Sequence, residues 1–371
     1  MICPRCLNQE AKYFFRYQEK IICRRCIHLD GLLVDPSLDL GKLDPQLELP
    51  FQLSAAQQEV SQWLLRYGFS HNLLIHAVCG AGKTEMMLEF VQAALEKGLK
   101  VGWMIARRQV VLQLQRRLQK HFPQLKVIAV CQGHTQDLVG DLVLCTAHQL
   151  YRFPNYFDIL IIDEPDAFPY VNDALLEGLA RVSCKRNFIY LTATPDETLK
   201  RQVDKTIVVH RRPHQRALVV PKVFTFPKWL LYLLLLKLLK QSDEQWLVFL
   251  PSIALAKRLS KRLRLPVLTS QSSDGELRIE RFSQGLDRIL LTTTILERGV
   301  TFEAISVIVF LADAPLFDEA ALIQISGRVG RSFNNPKGVC YFLCSQKSET
   351  VTSTIKTILQ HNQAACFVSE I

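Results

Sequence analysis

No apolar run in this 371-residue chain approaches the length of a membrane span. The most apolar stretch, Trp229 to Leu236 in KWLLYLLLLKLLK, ends at Lys237, far short of the roughly 20 residues a spanning helix needs. It reads instead as a buried amphipathic helix with Lys228, Lys237 and Lys240 at its edges. The start, Met1-Ile2-Cys3-Pro4, lacks a charged region followed by an apolar one, so no secretory leader is expected. The chain also lacks a polybasic tail: the net charge of +10 and pI near 9.1 come from a spread-out basic excess. Such an excess suits a protein that tracks a phosphate backbone, but it suits an ordinary basic enzyme as well. A disulfide framework is not indicated either. Of 11 cysteines, four are gathered at the front, and the rest (Cys79, Cys131, Cys145, Cys184, Cys340, Cys344 and Cys366) are scattered among core and surface positions. That usage fits a reducing, cytoplasmic compartment.

What is present begins with those four. Cys3, Cys6, Cys23 and Cys26 form C-x2-C-x16-C-x2-C. Each C-x2-C turn can bring two thiolates to one tetrahedral centre, and KYFFRYQEKIIC between them reads as a hairpin. Zinc suits four thiolates and leaves no open position, so a structural ion is expected; an iron–sulfur cluster is the other use of such a set. Arg5, Arg16, Arg24 and Arg25, with Tyr13, Phe14, Phe15 and Tyr17, either contact nucleic acid or, for the aromatics, form the core of this small unit. Residues 27–50 carry Asp-Pro twice and no periodicity, as a linker does.

The strand-like HNLLIHAVC runs into Gly80-Ala81-Gly82-Lys83-Thr84 and then into KTEMMLEFVQAALEKG, apolar at helical spacing. This strand–loop–helix context is the one a phosphate-binding loop requires. Its backbone amides and the helix N-terminus face the phosphates, Lys83 neutralises them, and the Thr84 hydroxyl ligates Mg²⁺. Ala77 replaces only the outermost glycine of the pattern, farthest from the phosphates. Further on, FDILIIDEPDAFPY is an apolar strand ending in Asp163-Glu164-Pro165-Asp166. Asp163 is placed to hold Mg²⁺, and Glu164 to orient or deprotonate the attacking water.

An Asp-Glu-x-Asp box after such a loop resembles the superfamily 2 helicases and translocases, and their other motifs follow in order. Gln57 matches the glutamine that reads adenine in that superfamily, with Phe51 as a stacking partner. ARRQVV (residues 106–111) and TAHQLYR (146–152) match strand-contacting motifs of the first motor domain. LTATP (191–195), with Thr192 and Thr194, matches the motif coupling nucleotide state to domain closure. FLPS (249–252) and TTTILERGVTF (292–302) match motifs of the second domain. QISGRVGR (324–331) matches the last, with Gln324 at the nucleotide and Arg328 and Arg331 as guanidinium donors to transition-state charge. The resemblance implies strand contacts from Arg107, Arg108, Thr146, His148, Arg152, Ser252, Thr293 and Thr294, mostly to phosphates.

Within the superfamily the chain resembles the ComFA family of late competence ATPases: a four-cysteine site in front, DEPDAFPY, GRVGR, and little beyond two motor domains. That resemblance implies an α/β fold of two tandem RecA-like domains with parallel sheets behind a zinc ribbon: ribbon 1–30, linker 31–50, first domain 51–215, second domain 216–371. It also implies ATP-driven movement of single-stranded DNA in natural transformation. Peripheral membrane association at the uptake channel goes with it, beside a phosphoribosyltransferase-like partner and a recombination mediator. The competing readings are another DNA or RNA helicase, such as a PriA-type restart helicase, and a nucleotide-gated zinc- and DNA-binding scaffold. PriA-type proteins are much longer and carry their cysteines later in the chain.

Overall fold

The N-terminal hairpin pairs β1 (Phe14–Tyr17) with β2 (Lys20–Cys23) antiparallel, with Phe14 opposite Cys23. The computed structural model describes residues 1–41, 43–241, 244–296, 302–331 and 338–365, so Cys366 and residues 297–301 of TTTILERGVTF lie outside the described residues. The chain divides into two compact units, one of Met1–Ala77 with Gly82–Val209 and one of Val78–Ala81 with His210–Ile371.

In the first unit, α1 (Ala55–Tyr67), β3 (Leu73–Ala77), α2 (Lys83–Glu96), β4 (Val101–Ile105), α3 (Arg108–His121), β5 (Val127–Val130) and β6 (Leu142–Cys145) follow the ribbon. Then come β7 (Phe157–Asp163), α4 (Ala174–Ser183), β8 (Cys184–Thr192), α5 (Glu197–Gln202) and β9 (Lys205–Val209). The strands form a seven-stranded sheet in the order β5-β6-β4-β7-β8-β3-β9, every pair parallel. Its central strands carry apolar runs: Ile159 to Ile162 of β7 and Leu73 to Ile75 of β3 are wholly buried, as strands covered on both faces by helices must be. Several helices of this unit start where side chains satisfy their free N–H groups. Ser54 and Gln57 make a reciprocal capping box on α1, and the Asp173 carboxylate accepts from Leu175 and Leu176 at the start of α4.

The second unit runs β10 (Lys222–Thr225), α6 (Lys228–Gln241), β11 (Gln245–Phe249), α7 (Ile253–Leu263), β12 (Val267–Leu268) and α8 (Gly275–Ser283). It closes with β13 (Ile289–Thr292), β14 (Ile305–Phe310), α9 (Glu319–Ser326), β15 (Cys340–Cys344) and α10 (Glu349–Ala364). Its six strands are ordered β10-β15-β14-β11-β13-β12, again all parallel. KWLLYLLLLKLLK is α6, with Leu231, Leu235 and Leu239 in an apolar cluster while Trp229 and Leu233 face out. No helix among the described residues is long and apolar enough to cross a membrane.

Candidate functional site

The sheet register of the first unit sets the nucleotide site. His76 at the end of β3 lies beside Thr192 of β8, and Asp163 at the end of β7 lies beside Leu191. The phosphate loop, the acidic box and LTATP therefore meet at the carboxyl edge of one parallel sheet, where such sheets bind ligands. Gly80 and Gly82 have φ of +81° and +79°, a left-handed backbone that lets the loop curl inward. Gly82 is the N-cap of α2 and offers no side-chain cap, so the first amides of that helix are left for an anion. A Cβ at Gly82 would run into the Gln57 side-chain amide. That amide is held in place because its Oε1 accepts from both the Ser54 N–H and hydroxyl at 3.0 Å. Gln57 is buried and Phe51 is half exposed, free to stack.

Asp163 fits the Mg²⁺ role on its own geometry. Its Oδ1 is buried and has no hydrogen-bond partner among the described residues. Burial, then the neighbouring Glu164 charge, push its carboxyl up to about 7 against the pull of Lys83. A cation beside Lys83 and Thr84 would relieve that penalty and serve the charge on the phosphates. Glu164 sits at φ +56°, a backbone state non-glycine residues seldom take, and its N–H donates to the Leu191 carbonyl at 2.8 Å. Asp166 points the other way: its two oxygens accept from the hydroxyls of Thr192 at 2.5 Å and Thr194 at 2.6 Å. The Thr194 N–H in turn donates to the Thr192 hydroxyl at 3.0 Å.

The four front cysteines are all buried and their sulfurs lie within 4.8 Å of one another. Cys3 and Cys26 are separated by 3.6 Å, Cys6 and Cys23 by 3.9 Å. A tetrahedron of thiolates about 2.3 Å from zinc has edges of about 3.8 Å, so the set fits that ion, which would act as a structural cross-link. Around it, Tyr13 and Phe14 pack on the core of the first unit, Arg24 lies 4.7 Å from the Phe15 ring, and Tyr17 stays exposed.

Two family models match parts of the chain: "Type III restriction enzyme, res subunit" over residues 50–197 and "Helicase conserved C-terminal domain" over residues 228–333. Competence protein ComFA of Streptococcus pneumoniae is 33% identical over 396 residues, spanning 98% of this chain and 91% of the relative. The chain belongs to the ComFA family. ComFA of Bacillus subtilis is 29% identical, spanning 99% of this chain and 86% of the relative. Among solved structures, S. cerevisiae Dbp5 bound to RNA and ADP BeF3 superposes with a TM-score of 0.67 at 15% identity, over 84% of this chain and 88% of that one. RecG bound to a three-way DNA junction gives 0.59 at 19% identity, over 85% of this chain and 47% of that one. At those identities the likeness is one of fold: both units are RecA-like helicase domains, and the protein is a ComFA-type superfamily 2 ATPase.

For this ComFA-family member, the strand-contact candidates fall at several loop positions. Arg107 occupies the N-cap position of α3 without a side-chain cap bond, and the Arg108 Nε donates to the Gln132 carbonyl at 2.8 Å. Thr146 leads into the six-residue 3-10 turn Ala147–Arg152, on which His148 is exposed. The Arg152 guanidinium is bonded instead to the Gln149 side chain at 2.7 Å and the Leu32 carbonyl at 3.2 Å. In the second unit the Ser252 hydroxyl caps α7, Thr293 is buried, and Thr294 opens a 3-10 turn. Gln324 and Arg328 are both 2% exposed, and the Arg331 Nε donates to the Gly327 carbonyl at 2.7 Å.

Arg212 escaped sequence reasoning. Buried at 2% exposure, it donates to the carbonyls of Gly327, Val329 and Gly330 at 2.8–2.9 Å, so it holds the backbone that carries Arg328 and Arg331. Burial, then the Arg331 charge, lower its guanidinium to about 10. In sequence it is one arginine in HRRPHQ, with no motif to single it out.

Proposed function

We propose that the chain is an ATP-dependent translocase on single-stranded DNA that drives DNA uptake in natural transformation. The observation that carries this reading is Asp163: a buried carboxylate with one oxygen unpartnered among the described residues, at the sheet edge where the phosphate loop begins, one residue before a strained Glu164. Lys83 and Thr84 would hold Mg²⁺·ATP with Asp163, and Glu164 positions the attacking water. Glu164 takes up its proton as the water oxygen bonds to the γ-phosphorus and the bond to the β–γ bridging oxygen breaks, releasing ADP and phosphate. Arg328 and Arg331 donate to the charge that develops on the transferred phosphoryl group, which ties hydrolysis to closure of the two motor domains. Gln57 and Phe51 select adenine, and Gln324 serves the nucleotide from the second domain.

Alternate closure and opening moves the strand past Arg107, Arg108, Thr146 and His148 on one domain and Ser252, Thr293 and Thr294 on the other. Such contacts fall on phosphates, so affinity is nearly sequence-blind and falls with salt. Asp166, tied to Thr192 and Thr194, carries the nucleotide state to LTATP. The family suggests work at the cytoplasmic face of the membrane, beside a phosphoribosyltransferase-like protein and a recombination mediator.

The test is ATP hydrolysis without nucleic acid and with single-stranded DNA, duplex DNA or RNA. Stimulation chiefly by single-stranded DNA, lost in Lys83→Ala, supports the reading. Stimulation by RNA alone selects an RNA helicase, and ATP binding without hydrolysis under every condition selects a nucleotide-gated scaffold.

A further inference from the structure

The zinc ribbon is seated on the first motor unit at two glycines. Gly178, inside α4, lies against the backbone of the zinc knuckle: a Cβ there would collide with the Cys6 carbonyl. Gly31, at φ +140°, brings the chain leaving the ribbon against the turn Ala147–Arg152; a Cβ there would stand 2.5 Å from Arg152 Nη1 and 2.8 Å from the Tyr151 hydroxyl oxygen. Between these points the strap of residues 30–34 is bonded along that turn. The Tyr151 hydroxyl donates to the Asp30 carbonyl, Arg152 Nη1 donates to the Leu32 carbonyl, and the Val34 N–H donates to the Arg152 carbonyl at 2.7 Å. Arg5, inside the first knuckle, ties the start of the strap by donating to the Leu29 carbonyl.

Apolar packing runs the same way. The four cysteines, Leu29 and Val34 share one buried cluster with Leu150, Phe153, Leu176 and Leu179. The turn itself is a short 3-10 segment, a form with poorer hydrogen-bond geometry than an α-helix, so the elements packed against it matter to its position.

We propose that the ribbon and strap are a brace that holds the Ala147–Arg152 turn, with Thr146 and His148, in its strand-gripping position. Arg152 is then a positioning residue that clamps the strap rather than a phosphate contact, and zinc sets the grip on nucleic acid without touching the nucleotide site. The inference rests on the proposed function, because it takes Thr146 and His148 to meet the strand.

Gly178→Leu and Gly31→Ala test it on the full-length protein, since neither changes charge, a zinc ligand or the nucleotide site. Three quantities are read: zinc per chain, ATP turnover without nucleic acid, and affinity for a fluorescent single-stranded oligonucleotide across a salt series. The brace predicts retained zinc, near-normal basal turnover and affinity weakened about ten-fold in each variant. The slope of log affinity against log salt should be unchanged in both, because no phosphate contact is removed. Arg152→Ala separates the two roles of that side chain. As a clamp its loss weakens binding at constant slope; as a phosphate contact its loss lowers the slope by about 0.7.

Wild-type affinity in the glycine variants, or the lowered slope in Arg152→Ala, overturns the brace while leaving the translocase reading intact. Should Gly178→Leu fail to fold, Gly31→Ala and Arg152→Ala decide the matter. A wild-type protein that does not bind single-stranded DNA brings down both readings.

Discussion

The Thr192 hydroxyl lies 2.5 Å from a carboxylate oxygen of Asp166, and the other oxygen of that carboxylate takes the Thr194 hydroxyl. The last acid of the DEPD box is thus bonded to both threonines of LTATP, while the first, Asp163, keeps a buried oxygen with no hydrogen-bond partner among the described residues. On the function proposed above, one end of this four-residue box would face the nucleotide, while the other is bonded to LTATP.

Replacing Thr192 by Val removes one of the charge-assisted bonds that Asp166 accepts. A loss of about 2 kcal/mol in stability follows for the first unit. ATP affinity should hold, while the stimulation of hydrolysis by single-stranded DNA should fall about ten-fold. Nucleotide binding and stimulated turnover, measured side by side on one preparation, check this.

Arg212 supports a turn rather than a substrate. Arg212→Ala removes its bonds to the carbonyls of Val329, Gly330 and Gly327, the last keeping the Arg331 donor, a change of about 3 kcal/mol. Arg212→Lys restores only part of it, because an ammonium group lacks the planar fork that reaches several carbonyls at once. Denaturant unfolding of the two variants should rank them wild type, Lys, Ala; equal midpoints would contradict the assignment.

Zinc is expected at one ion per chain on Cys3, Cys6, Cys23 and Cys26. Because these cysteines pack with Phe153 and Leu176, its removal should loosen more than the hairpin. A strong chelator should lower the first unfolding transition by about 5 °C and expose residues 27–34 to protease. An unchanged transition would show the ribbon to be independent of the motor.

His210 and His361 meet through their Nδ1 atoms at 2.9 Å, so one must donate and the other accept. Burial lowers the proton affinity of both, and for His361 the His210 charge lowers it further. The unfolded chain therefore takes up protons near pH 6.5 that the folded protein refuses. Their contribution to stability is complete above that pH and is lost as pH falls through the depressed folded values. Unfolding free energy of the second unit should decline from about pH 6.5 downward, and His361→Phe should flatten that slope.

Much of the nucleotide site was legible because its parts are contiguous: a strand, a glycine turn and a helix, then an apolar strand ending in acids. The zinc set was legible for the same reason, since two short knuckles carry all four ligands. α6 could be placed too, because KWLLYLLLLKLLK is too short to span a membrane and has lysines at its edges. Which oxygen faces which partner was not legible. Asp163 and Asp166 are alike in sequence; Asp163 ends β7 beside Leu191, while Asp166 lies in the turn beyond the strand and meets Thr192 and Thr194. Arg212, Gly31 and Gly178 act on segments far away in the chain, through backbone carbonyls and bare van der Waals contact, which leave no pattern of residue types. Arg152 belongs to a motif by its position but is bonded to a strap that no motif describes.

The central claim is movement along a single strand at the expense of ATP, and displacement of streptavidin from the end of a biotinylated single-stranded oligonucleotide measures it directly. The account predicts displacement that needs hydrolysable ATP and is abolished in Lys83→Ala and Glu164→Gln. Hydrolysis stimulated by single-stranded DNA with no displacement from either end would contradict it.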